Sequence, residues 1–165
     1  MSENLKVKKY ERKITPLERF FARSPYSIVT MVARIKGNVS ESMLRNAVSQ
    51  VRQRHPNLRV RIIEDDDRVP WFTSEGVKEI PVEIVPRESD DHWIKVVLEA
   101  GQIPFEFDAR PAIRFILVQS LIISELIILC HHILCDGLSL VYLARDLMVH
   151  LGDPTREGFP LMVSS

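Results

Sequence analysis

The segment His131-His132-Ile133-Leu134-Cys135-Asp136-Gly137 places two imidazoles and a carboxylate between a long apolar run and an amphipathic helical pattern. Titratable groups in such a setting are costly to bury without a partner or a task. Immediately upstream, Ala112 to Val118 and Leu121 to Leu129 read as two buried strands meeting near Ser120–Ser124. Downstream, Gly137 opens a helix with Leu140, Leu143, Ala144, Leu147 and Leu151 on one face, and Gly152-Asp153-Pro154 ends it. The window from Phe115 to Leu134 is the most apolar in the chain, but Gln119, Ser120, Ser124, Glu125, His131 and His132 interrupt it. Strands are expected there, and no membrane span.

Working outward, Ser27 to Ile35 is rich in β-branched residues and predicts a strand stopped by Gly37-Asn38. Ser40 is a candidate N-cap for a helix carrying Met43, Leu44, Ala47, Val48 and Val51 at helical spacing, ended by His55-Pro56. Leu58 to Ile63 alternates apolar and basic residues as a strand would, and the acidic stretch 64–67 turns it into Val69-Pro70-Trp71-Phe72. Ile80 to Val85, bracketed by Pro81 and Pro86, suits an edge strand. Asp90 is expected to cap a helix with Ile94, Val97 and Leu98 inward. Near the N-terminus, Ile14 to Phe21 predicts a short entry segment with a helical turn. The order of elements predicts an α+β fold, a mixed β-sheet flanked by helices, in a single domain over residues 1–153 with 154–165 as a linker or truncated tail.

At 165 residues the chain is large enough to bury roughly 70% of its unfolded surface. Its 22 basic and 22 acidic residues cancel, so no nucleic acid or anionic lipid is expected as a partner. The N-terminal residues lack the apolar segment of a signal peptide. With only Cys130 and Cys135, both inside the apolar run, reduced core thiols are expected and the expected compartment is cytoplasmic.

Several chemistries could use the central segment. Zinc is disfavoured, since neighbouring residues of a strand point to opposite faces and no distant pair of ligands completes a tetrahedral set. A nucleophilic Cys135 paired with a histidine is a weaker candidate than a histidine base, whose unperturbed pKa near 6.5 suits proton removal from an incoming hydroxyl or amine. Two core histidines satisfied by backbone carbonyls would be the purely architectural alternative. Pleat alternation cannot choose between His131 and His132 as the base.

The spelling H-H-x-x-x-D-G resembles the signature of CoA- and carrier-protein-dependent acyltransferases: condensation domains, alcohol O-acyltransferases and relatives with the chloramphenicol acetyltransferase-like fold. The resemblance implies that His132 is the general base, that His131 is a packing residue, and that Asp136 pairs with an upstream arginine to shape the loop. That arginine would be Arg114, in Pro104-Phe105-Glu106-Phe107-Asp108-Ala109-Arg110-Pro111-Ala112-Ile113-Arg114, where Glu106 replaces the family's aspartate. Gly137 would let the chain turn and a substrate approach. The segments Arg12-Lys13-Ile14-Thr15-Pro16-Leu17-Glu18, Ile35-Lys36-Gly37-Asn38-Val39 and Arg54-His55-Pro56-Asn57-Leu58-Arg59 extend the likeness over nearly the whole chain.

What the resemblance implies is an N-terminal lobe of an acyltransferase. It would move an acyl group from an acyl-CoA or a phosphopantetheinyl carrier protein to a hydroxyl acceptor, with no metal or tightly bound cofactor. The short polar lead-in favours a stand-alone alcohol acyltransferase over the alternative, a peptide-synthetase condensation domain with an amine acceptor. A non-catalytic binding or assembly module is the reading from another class. Complete members carry a second lobe with a D-F-G-W-G-like segment, which is not found in these residues. The expected partner is therefore a C-terminal lobe, or a second copy standing in for it as a homodimer.

Overall fold

A computed structural model describes residues 11–24, 27–134 and 137–152. In chain order they form β1 (Arg12–Lys13), α1 (Pro16–Ala22), β2 (Ile28–Lys36), α2 (Glu41–Arg54), a 3₁₀ turn (Pro56–Arg59), β3 (Arg61–Glu64), β4 (Pro70–Thr73), β5 (Val82–Pro86), α3 (His92–Ala100), β6 (Ile113–Gln119), β7 (Ile123–His131) and α4 (Gly137–Gly152). The reading of 154–165 as a linker falls outside the described residues.

The principal sheet has the order β2-β7-β6-β5; β7 runs antiparallel to both β2 and β6, and β5 joins β6 in parallel. It is mixed, as expected. Residues of β6 and β7 alternate between two buried faces. Phe115, Leu117, Leu126 and Ile128 pack with Leu44, Ala47 and Val51 of α2 and Leu140 and Leu147 of α4. Ile116, Val118, Ile127 and Leu129 pack with Val96 and Ala100 of α3. A sheet covered on both sides needs apolar side chains at consecutive positions, which is why these strands read as one continuous hydrophobic run. No helix among the described residues is long and apolar enough to cross a membrane.

A second, three-stranded antiparallel sheet, ordered β1-β4-β3, holds the entry segment against the predicted hairpin. The hairpin's turn is organised by Asp65, whose carboxylate accepts from the amides of Asp67 and Val69 and from the Trp71 indole at 2.9 Å. α1 begins with a capping box in which the Thr15 side chain accepts from the Glu18 amide while the Glu18 carboxylate accepts from the Thr15 amide.

Four expectations are corrected. The strand predicted from Leu58 starts only at Arg61, because Pro56 supplies the fixed φ that opens a 3₁₀ turn and Leu58 N–H bonds back to the His55 carbonyl at 3.0 Å. The third helix buries Val96 and Ala100, with Trp93 and Val97 partly buried; Ile94 and Leu98 are 45% and 65% exposed. Two apolar arcs overlap at Val97, and the sheet selects the one spaced i, i+3, i+4, i+7. Leu121 and Ile122, expected within a strand, form the hairpin tip, 81% and 76% exposed, where Ser120 Oγ accepts from the amides of Ile122 and Ile123. Cys130 is buried as expected but is disulfide-bonded, not reduced, and Cys135 lies outside the described residues. Apolar surroundings predict burial but say nothing of which sulfur lies within bonding distance.

Phe115 is fully buried at the centre of the larger core. Phe115→Ala is expected to lower unfolding stability by about 3–5 kcal/mol, measured by urea titration with an unchanged m-value.

Candidate functional site

At the end of β7 the chain reverses in a turn from His131 to Leu134, closed by Leu134 N–H donating to the His131 carbonyl at 3.0 Å. Neighbouring backbone fixes its entry. His131 N–H donates to the Ala112 carbonyl at 2.9 Å, and His132 N–H donates to the Ser27 carbonyl at 2.8 Å. The last β7 residue thus remains registered against its neighbours, and the next one is carried out of the sheet.

This geometry separates the two histidines. His131 is fully buried, with its ring edge-on to Phe107 at 4.9 Å and to Phe105 at 6.1 Å. Its Nε2 lies 2.9 Å from the Ser24 carbonyl, which can only accept, so Nε2 carries the proton. Its Nδ1 accepts from the Ile133 amide at 3.1 Å and is therefore unprotonated. Both ring nitrogens are occupied in the neutral tautomer. Burial pulls the His131 pKa below the ordinary imidazole value, the neighbouring His132 adds to this, and the Ser24 carbonyl opposes it.

His132 is exposed, and its ring stacks on Phe21 of α1 with centroids 5.1 Å apart and planes 21° from parallel. Among the described residues its ring nitrogens accept and donate no hydrogen bond. The two adjacent imidazoles therefore differ: one is locked and neutral, the other presented.

Arg114 lies on the same face of the sheet as His131, because its cross-strand partner Leu129 stands two residues before His131 on β7. Its guanidinium sits 4.3 Å above the Phe105 ring and donates to the Ile103 carbonyl. Burial lowers its pKa from the ordinary guanidinium value, with Glu83 opposing. Phe105 therefore touches both Arg114 and His131. Asp136, the expected partner of Arg114, lies outside the described residues; Gly137 is the first residue of α4, as expected.

Other participants carry no distinct signal in the sequence. Phe21 and Phe107 read as ordinary core aromatics, and the Ser24 carbonyl is backbone. Asp146 is legible only as an acid on the apolar side of a helix. It is fully buried, and its carboxylate meets Arg54 Nη1 at 3.0 Å and His55 Nε2 at 2.8 Å, joining the end of α2 to α4. Asn57, in the 3₁₀ turn, donates through Nδ2 to the Leu134 carbonyl at 3.1 Å.

The depressed His131 pKa carries a pH signature. Above about pH 6.5 the ring is neutral in both folded and unfolded chains; as pH falls through that value the unfolded chain takes up the proton first, and stability is lost until the lowered native pKa is passed. Denaturation between about pH 7.5 and 5 is expected to show a shallower loss in His131→Asn than in the wild type, whatever the variant's absolute stability.

The condensation domain family model matches residues 11–152. A linear gramicidin synthase from Brevibacillus parabrevis is 25% identical over 153 residues, 88% of this chain and 3% of that protein. The starter condensation domain of the rhizomide synthetase RzmA, in a doubly substituted form, superposes with a TM-score of 0.75 at 15% identity, covering 92% of this chain and 40% of that one. A singly substituted form of the same domain, solved in complex with C8-CoA, gives a TM-score of 0.67 at 19% identity, over 84% and 34% of the two chains. The chain thus spans well under half the length of these relatives. The likenesses favour the condensation reading over the hydroxyl-acceptor enzyme expected from the polar lead-in, a segment too short to discriminate between branches of one fold. With the sheet and the family match in agreement, the chain belongs to the condensation domain family, whose members are acyl-transferring catalysts.

Proposed function

We propose that this chain is the base-bearing lobe of an amide-forming acyl transferase, with His132 as the general base. The observation that carries the reading is the division between the histidines: His131 has both nitrogens occupied and a depressed pKa, whereas His132 is exposed on a turn anchored by backbone bonds at its start. An amine attacks the thioester carbonyl, a C–N bond forms, and the C–S bond breaks. His132 takes the proton shed by the amine and returns it to the departing sulfur, which leaves as a thiol. No covalent enzyme intermediate is needed.

The donor is an acyl group on a phosphopantetheinyl carrier protein, in keeping with the synthetase relative. Acyl-CoA is the second reading, favoured by the C8-CoA complex of the structural neighbour. No tightly bound cofactor enters. A second lobe completes the substrate channel, supplied by further chain or by another copy. The lobe proper is residues 1–153, with 154–165 a linker or truncated tail, and an enzyme fed by such thioesters works in the cytoplasm. His131 keeps the turn in shape, Gly137 gives substrate room, and Arg114 pairs with Asp136 to hold the loop.

His132→Ala, in protein carrying both lobes, is expected to reduce turnover roughly 10²–10⁴-fold with little change in circular dichroism. Thiol release is followed with carrier-bound and CoA thioesters, each offered an amine and an alcohol. Wild-type turnover in this variant would overturn the assignment, and preferential use of the alcohol would restore the hydroxyl reading. Absence of turnover with every thioester, in wild type and variant alike, would favour a binding module.

For the loop, a cycle of Arg114→Ala, Asp136→Ala and the double variant is expected to give strongly non-additive losses of thermal stability, because each single change strands the partner's charge. Additive losses would mean that the two do not pair.

A further inference from the structure

The His131–Leu134 turn is tied down from outside itself by backbone partners at its start, by the Ser24 carbonyl on the His131 ring, and by one side chain at its end. That side chain is Asn57, whose amide donates to the Leu134 carbonyl at 3.1 Å. Asn57 stands in the 3₁₀ turn just after Arg54 and His55, which reach across from the end of α2 to grip the buried Asp146 carboxylate. Residues 54–57 therefore hold both flanks of the loop: Leu134 before it and α4 after it. Pro56 at the start of the 3₁₀ turn restricts the backbone between these two grips, so that their separation is set by a stiff segment.

A reacting group that must meet a proton within hydrogen-bond reach tolerates little displacement, and an error of about 1 Å can cost on the order of 10²-fold in rate. His132 is exposed, its ring stacks on Phe21, and among the described residues its ring nitrogens make no hydrogen bond. Its position therefore comes from the backbone of the turn and not from hydrogen bonds of its own. Resting on the reading of His132 as the base, we propose that Asn57 is a positioning residue for the acyl transfer: its amide fixes the exit of the turn and so sets where the His132 imidazole stands.

The test uses protein containing both lobes, with a thioester donor and an amine acceptor. Asn57→Asp is nearly isosteric and removes the donor. It is expected to lower kcat about 10- to 100-fold, with KM for both substrates and the melting temperature close to wild type. Asn57→Gln, which keeps an amide donor, is expected to recover part of the loss. The deciding measurement is non-additivity: in a His132→Ala background, Asn57→Asp is expected to change the residual rate by less than about twofold, since a misplaced base and an absent one are equivalent. Asn57→Ala is measured in parallel, so that a folding defect in one variant leaves the other to decide. Wild-type kcat in both variants alongside a slow His132→Ala overturns the positioning role alone. So does a full multiplicative loss in the double variant, which would mark Asn57 as acting independently of His132. If His132→Ala is itself as fast as wild type, the base assignment fails and the inference falls with it.

Discussion

Everything in this lobe depends on β7 being paired on both edges and covered on both faces. Its backbone is registered to β2 and β6 over nearly its full length, while α2 with α4 and α3 bury its two sides. A strand so enclosed has no freedom to twist or slide, and its last residue, His131, inherits that rigidity. The turn is therefore rigid where it begins, and only at its far end must it find a tether elsewhere.

The same enclosure dictates where charge can sit. Glu125, 1% exposed within β7, is tolerated because Arg87 meets its carboxylate through Nε at 2.9 Å and Arg34 from β2 meets it at 3.2 Å. Arg87 in turn has its pKa raised, chiefly by its hydrogen bonds to Glu125. Asp146 follows the same rule on the opposite side of the sheet, with Arg54 and His55 as partners. Both buried carboxylates join elements far apart in sequence, so each acts as a specific cross-link in a core that is otherwise defined only by shape.

The strands β2, β6 and β7 and the helices α2 and α4 were legible because burial imposes a periodicity that residue type reveals directly. Val51, Leu140 and Leu147 face inward as their spacing required. Helix α3 was misread because Ile94 and Leu98 are spaced as regularly as Val96 and Ala100, and only the position of the sheet distinguishes the two arcs. In the site, the adjacent histidines were legible as candidates but the division between them was not. Alternation along a strand says nothing once the strand has ended, and the contrast between His131 and His132 arises from the Ser24 carbonyl and the Ile133 amide, which are backbone groups without any residue-type signature. Asn57 was hidden for a different reason: an asparagine after a proline reads as turn chemistry, and its partner is a carbonyl 77 residues away.

The pairing of β7 also determines where this chain can change length. Inserting one residue between Ser124 and His131 would exchange the two buried faces of the strand, carrying Glu125 or the residues after it into the wrong layer and moving the imidazole pair out of step with Ala112 and Ser27. Deletion would do the same in the opposite sense. The tip at Leu121 and Ile122 is free of that restriction, since both side chains are exposed and beyond the last ladder pair. Length variation among descendants of this sequence should therefore collect at the tip of the β6–β7 hairpin and be absent from the nine residues that follow it.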